Sequence, residues 1–197
     1  MTEIKEKKTE DIKKEAEAMK CPLSKSLYYI EEFLSGPMCG KCFPCSMGTY
    51  EARLRLKNIV SGSGTDSDLF SLKRIASYML DASMCKKGKD TAKYMLDWIN
   101  EGNFTEHLKG RCPSMECKAF IEYRVIPELC IMCGLCQEAC RYNAIIGEKR
   151  LSYKSGYLPF EIRQRRCTKC GDCIKVCPTI AIEIISVKTE KGFLTKV

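Results

Sequence analysis

Residues 130–140 read CIMCGLCQEAC, and residues 167–177 read CTKCGDCIKVC. Both runs have the spacing C-x2-C-x2-C-x3-C, and the second follows the first at an offset of 37 residues. Three cysteines at i, i+3 and i+6 on a tight loop wrap one corner of an iron–sulfur cube and point the intervening backbone N–H groups at its sulfides. Gly134 and Gly171 follow the second cysteine of each run, where the backbone must bend closely around the cluster. The fourth cysteine of each run faces away and ligates the other cluster. The spacing therefore assigns Cys130, Cys133, Cys136 and Cys177 to one [4Fe-4S] centre. Cys167, Cys170, Cys173 and Cys140 form the second. Zinc sites group their cysteines in pairs, so the duplicated spacing speaks for iron.

The rest of the composition agrees. Fifteen cysteines in 197 residues mean a disulfide scaffold or a metalloprotein. The opening MTEIKEKKTEDIKKEAEAMK lacks the apolar stretch of a signal peptide. No run of about 18 apolar residues is present, so no membrane insertion is expected. The expectation is a cytoplasmic chain with reduced thiols, and the odd cysteine count also argues against complete pairing as disulfides. The formal charge of +8 treats every cysteine as neutral. A cubane with four thiolates carries roughly −2, so three of them would leave the chain near +2. Nucleic-acid binding does not follow from such a balance.

The expected organisation is α+β: a small four-helix bundle holding one [4Fe-4S] cluster, followed by a two-cluster ferredoxin domain. Residues 1–20 read as a charged tail or a solvated helix, or else as an arm that docks on a partner. Residues 21–117 form the helical part. One helix carries Leu27, Ile30, Phe33 and Leu34 and stops at Gly36-Pro37. A second starts after Cys45 and presents Tyr50, Leu54 and Ile59. A third, entered at Asp66 or Ser67, presents Leu69, Leu72, Ile75 and Met79. A fourth presents Ala92, Met95, Leu96 and Ile99 and ends before Gly102. Residues 118–197 form the β-rich second part. Over roughly residues 119 to 187 they resemble bacterial-type two-cluster ferredoxins. Two departures are Arg141 after Cys140, where Cys177 has the usual Pro178, and the long connection IGEKRLSYKSGYLPFEIRQRR, expected to be an extra hairpin contacting a partner.

A third loop, SGPMCGKCFPCSMG at residues 35–48, places Cys39, Cys42 and Cys45 at cubane spacing without a fourth cysteine nearby. Cys85, in DASMCKKGKD, is the next candidate, expected at the end of the third helix. CGKCFPCSMGTYEARL followed by a distant SMC resembles the C-terminal cluster domain of the NADH-oxidising flavoprotein subunit of respiratory complex I. It resembles more closely the corresponding subunits of NAD-linked [FeFe]-hydrogenases and electron-bifurcating complexes. The resemblance covers roughly residues 21 to 187. It implies one [4Fe-4S] cluster on Cys39, Cys42, Cys45 and Cys85, and a two-cluster ferredoxin after it. The flavin- and NADH-binding domain of that family is not expected in this chain, which has no G-x-G-x-x-G-like phosphate loop. The implied partner is a flavoprotein subunit that supplies the flavin and an NAD(P)H site.

Cys21, His107, Cys112 and Cys117 remain. Three sulfurs and one imidazole make a complete structural zinc set, and the hydrogenase-type relatives look similar in the H-x4-C-P-x3-C segment. Three free thiols with a surface histidine, and a fourth iron–sulfur cluster, are the alternatives. Lys41, Lys86, Lys87, Arg165 and Arg166 either balance cluster charge, or raise potentials and steer an acidic ferredoxin. The function expected is that of an electron-transfer subunit of an anaerobic, cytosolic, flavin-dependent oxidoreductase complex, electron bifurcation included. It would relay electrons to a further redox subunit or to soluble ferredoxin, with no substrate-converting site of its own. The competing readings are a free-standing polyferredoxin carrier and a zinc-dependent interaction module.

Overall fold

A computed structural model describes residues 7–101, 104–151, 156 and 158–187. These divide into two compact units, one ending at Phe120 and one running from Ile121 to Val187. The boundary was expected at residue 118. Lys118–Phe120 instead form a single 3-10 turn whose Phe120 is fully buried in the first unit's core.

The first unit is helical: α1 (Thr9–Glu17), α2 (Pro22–Ser35), α3 (Phe43–Val60), α4 (Asp66–Ala82), α5 (Lys86–Asn100) and the short α6 (Phe104–Leu108). Helices α2, α3, α4 and α5 pack in a closed circuit, each against the next and α5 back against α2, while α1 lies against α2. Nine residues rich in Lys and Glu make a marginal helix in water. Ile12 and Ala16 on α1 are nevertheless completely buried. Burial of the isoleucine contributes roughly 1.5–3 kcal/mol, enough to hold a segment that reads as a solvated tail by composition.

Pro22 and Pro44 sit in the first turns of α2 and α3, where a missing N–H costs nothing. Helix α3 therefore begins at Phe43, two residues before Cys45, and Cys42 is its N-cap. Its buried face is Cys45, Thr49, Ala52, Leu56 and Ile59. Tyr50 and Leu54, expected inside, are 45% and 39% exposed. The first half of the inward face escapes a search for apolar periodicity because it is built from the small residues Cys45, Thr49 and Ala52. Gly48 shows why they are small: a β-carbon there would lie 2.7 Å from the Met79 side chain of α4. Helix α4 starts at Asp66, one of the two expected entry points, with Thr65 as N-cap in a capping box with Asp68.

The second unit holds β1 (Ile121–Val125), α7 (Leu135–Glu138), β2 (Ile145–Ile146), β3 (Glu161–Ile162), α8 (Asp172–Lys175) and β4 (Ile182–Ser186). Strand β1 pairs antiparallel with β4, Tyr123 opposite Ile184, and β2 pairs antiparallel with β3, Ile145 opposite Ile162. The offset of 37 residues extends to the backbone. Positive φ occurs at Met132 and Lys169, at Gly134 and Gly171, and at Asn143 and Ile180. Each pair is separated by that same offset, so the unit is two copies of one half-fold, closed on each other by strand pairing. The extra hairpin expected between the copies falls partly outside the described residues; its flanks are β2 and β3.

Candidate metal centres

In the first unit, three helix beginnings carry candidate ligands. Cys21, Cys42 and Cys85 are the N-caps of α2, α3 and α5. Helix N-termini present unpaired N–H groups and a partial positive charge, which favour anions. Cys85 is therefore not at the end of α4 but at the start of α5, two residues after Ser83 caps α4. The backbone N–H of neighbouring Met84 reaches the Cys42 sulfur and, with that of Cys45, holds the Cys42 thiol below its ordinary pKa. Burial lifts the Cys45 thiol to about 11, and the sulfurs of Cys42, Cys85 and Cys39 push it the same way. Cys39, Cys42 and Cys85 thus all act electrostatically on Cys45, with Cys39 and Cys85 exposed and Cys42 and Cys45 buried.

This site fits an anionic cluster on three counts. No acidic residue lies in the first turn of α3 or α5, and α5 opens with Lys86 and Lys87. Cations at a helix N-terminus are unfavourable unless an anion sits there. Gly88 also leaves the cradle open: a β-carbon on it would lie 2.9 Å from Ser83 Oγ and 3.2 Å from Cys45 Sγ. Finally, Ser83 Oγ is buried and finds no hydrogen-bond partner among the described residues.

Two cavities of the second unit, each open in part to solvent, are lined by cysteines. The lining of one includes Cys130, Cys133, Cys136 and Cys177. The lining of the other includes Cys140, Cys167, Cys170 and Cys173. Each cavity thus takes three cysteines from one loop and the fourth from the other copy, as the spacing implied. The returning cysteines are held alike: Ala181 N–H donates to Cys177 Sγ at 3.2 Å, and Ala144 N–H to Cys140 Sγ at 3.3 Å. Burial would raise the Cys177 thiol, but backbone N–H groups led by that of Ala181 outweigh it and hold the thiol low. Cys136 and Cys173, like Cys45, are the third cysteines of their loops, and burial lifts each to about 11. In all three sets this inner sulfur resists ionising unless a positive core supplies the compensating charge.

The leftover set converges too. Cys21 Sγ lies 3.3 Å from His107 Nε2, 3.5 Å from Cys117 Sγ and 3.9 Å from Cys112 Sγ, and Cys117 Sγ lies 3.5 Å from His107 Nε2. All four ligand atoms lie within 4.8 Å of one another, and all four residues are buried. A tetrahedral ion with bonds of about 2.3 Å to sulfur has edges of roughly 3.8 Å, so these distances suit a single ion. The alternative of a surface histidine fails, since His107 is 2% exposed, with its ring edge-on to Phe120. Burial alone would lower the His107 pKa; Cys112 and Cys21 outweigh it and carry it up to about 9. Cys112 is held well below the thiol range by contacts from Cys117 and Cys21, while Cys112 drives Cys117 far above it. Sequence reading missed Glu116. Its carboxylate accepts the N–H of Cys21 at 2.7 Å and that of Lys20 at 3.0 Å, tying the remote ligand to the loop that carries the others. No periodicity announces such a bond across 95 residues.

Residues 25–109 match the NADH-ubiquinone oxidoreductase-F iron–sulfur binding region, and residues 129–181 match a 4Fe-4S dicluster domain. Among curated proteins, the chain is 30% identical over 133 residues to the NADP-reducing hydrogenase subunit HndC of Solidesulfovibrio fructosivorans, covering 66% of this chain and 27% of that protein. It is 38% identical over 73 residues to the NADP(+)-dependent formate dehydrogenase subunit beta of Moorella thermoacetica, covering 37% and 10%. It is also 38% identical over 86 residues to the NADH-quinone oxidoreductase-F protein of Streptomyces coelicolor, covering 42% and 19%. The chain thus spans under a third of the length of each of these relatives. No helix among the described residues is long and apolar enough to cross a membrane.

Proposed function

Starting from a chain that is an iron–sulfur electron-transfer module of the NADH- and NADP-linked oxidoreductase family, with the oxidoreductase-F iron–sulfur region followed by a 4Fe-4S dicluster domain, we infer that it relays single electrons through three [4Fe-4S] centres. Each cluster, when bound, accepts and returns one electron. Cys39, Cys42, Cys45 and Cys85 hold the first; Cys130, Cys133, Cys136 and Cys177 the second; Cys167, Cys170, Cys173 and Cys140 the third. The residues around them bury the inner sulfurs of Cys45, Cys136 and Cys173, supply N–H donors to sulfur and, in the first unit, place positive helix ends beside the charge. The flavin that splits two-electron chemistry into single electrons belongs to a partner subunit, which also carries the NAD(P)H site. The far side of the relay is a further redox subunit or a soluble ferredoxin, in an anaerobic cytoplasmic complex of the kind that performs electron bifurcation.

The observation that carries this reading is the crossed lining of the two cavities, which joins cysteines 41 to 47 residues apart in one case and 27 to 33 apart in the other. Cys21, His107, Cys112 and Cys117 hold one structural zinc, which staples the start of α2 to the loop after α6. Anaerobically purified protein should carry about twelve irons and one zinc. His107→Ala should lose the zinc and keep the iron. About eight or four irons would remove one or two of the centres, respectively, and a colourless protein with several zincs would replace the relay with an interaction module. Elution of the native protein at monomer size alone would favour a free carrier.

A further inference from the structure

The two copies within the second unit serve as controls for each other. Their backbones follow one path at an offset of 37 residues, down to the positive-φ positions, so differences between equivalent side chains are not imposed by the fold. The loop around the Cys130 cavity carries Glu128, Leu129, Ile131, Met132, Leu135 and Glu138. At the equivalent places the loop around the Cys170 cavity carries Arg165, Arg166, Thr168, Lys169, Asp172 and Lys175. Four basic residues and one acid thus stand where the first loop has two acids and four apolar side chains. Leu129, Ile131 and Leu135 are 45%, 49% and 40% exposed, so the first mouth is rimmed by aliphatic surface. Arg165, Arg166 and Lys175 are exposed. Asp172 is already engaged by Lys175 at 3.3 Å, and Arg141 acts on it from the other copy. Cys170 is the one exposed cysteine of the eight in this unit.

Cluster charge does not explain the difference. Both sites have the same ligand set and would hold the same anion, yet four basic residues stand in one loop and none at the equivalent places of the other, where Lys149 approaches Gly134 but is paired with Glu138 at 3.4 Å. A basic rim beside the most accessible sulfur of the unit is what steers an oppositely charged protein to a brief, productive encounter. We propose that the Cys167–Lys175 loop, with Arg165 and Arg166, is the docking surface for a small acidic one-electron carrier protein, and that the aliphatic Cys130 mouth is not. This rests on the relay reading above and adds to it the place where electrons cross to a diffusing partner.

The test uses the full, cluster-loaded chain and an acidic two-cluster ferredoxin as the probe, with binding measured calorimetrically in oxygen-free buffer at low and high salt. Arg165→Glu/Arg166→Glu should weaken binding about tenfold or more and remove most of its salt dependence. The equivalent control, Glu128→Gln/Leu129→Ser, should stay within about twofold of the parent. Iron content and the reduced-cluster EPR spectrum should be the same in all three proteins, which shows that the substitutions leave the centres intact. The proposal is overturned if the loaded parent does not bind the ferredoxin, if the arginine reversal leaves binding and its salt dependence unchanged, or if the control weakens binding equally. A parent without iron overturns the relay itself, which separates the two failures.

Discussion

Gly88 is where one missing carbon decides whether a centre can assemble. It is buried at the start of α5, and a β-carbon there would meet Ser83 Cβ and Oγ at 2.9 Å and Cys45 Sγ at 3.2 Å. The obstructing atoms belong to a short side chain and to a ligand, so they cannot swing aside at low cost. Overpacking of this kind costs roughly 1–3 kcal/mol, and here the displaced atom is one that must bind iron. Gly88→Ala should therefore lower the iron content by about one cluster in three while the zinc and the ferredoxin-type clusters stay. Iron and zinc quantification on the anaerobic variant checks this, and a full iron complement would show that the loop has more room than the geometry implies. The inner cysteines belong to the same scale: buried thiols at Cys45, Cys136 and Cys173 stay protonated until metal arrives.

Helices in the first unit serve as pointers as much as core. Those that begin at ligands, α2, α3 and α5, use Cys21, Cys42 and Cys85 as N-caps without a side-chain capping bond. Their free N–H groups and positive ends remain available to bound anionic sulfur. Helix α4 begins away from any ligand and is capped conventionally. Thr65 Oγ1 accepts the Asp68 N–H, and the Asp68 carboxylate accepts the Thr65 N–H at 2.9 Å and pairs with Arg55 at 2.9 Å. Burial would raise the Asp68 pKa, but Arg55 and Thr65 outweigh it and hold it below the ordinary carboxylate value. Loss of the Thr65 cap should cost about 1 kcal/mol. A lower denaturation midpoint for Thr65→Ala, with iron content unchanged, is the expected result. Loss of iron as well would mean that α4 orients the cluster loop and not only the core.

At the scale of the whole molecule, the proposed assignment closes every centre with a residue distant in sequence. In it Cys85 completes the Cys39 loop, Cys21 completes the set at His107, and the two ferredoxin-type loops exchange their fourth cysteines. Cys177→Ser should thus impair the cluster of the Cys130 loop, 41 residues or more upstream of it, and spare the cluster held by Cys167, Cys170 and Cys173, its own neighbours. Loss of the magnetic interaction between two reduced clusters, with one normal EPR signal remaining, would report this; damage confined to the Cys167 site would reverse the pairing. The grouping of the eight ferredoxin-type cysteines into two cavity linings was legible in the chain because local spacing alone shapes a loop, and duplication repeats it. The helical stripes of α2, α4 and α5 were legible through their apolar periodicity, whereas the face of α3 was not, since close approach to α4 demands glycine and small side chains there. Only the tertiary structure decided that α1 packs, that Cys85 opens α5 instead of ending α4, and that Cys21 meets His107, Cys112 and Cys117 within bonding reach of a single ion. Spacing carries information over one turn of chain; bringing together atoms 86 to 96 residues apart depends on which helix faces bury against each other, a property of the assembled core that no short stretch encodes.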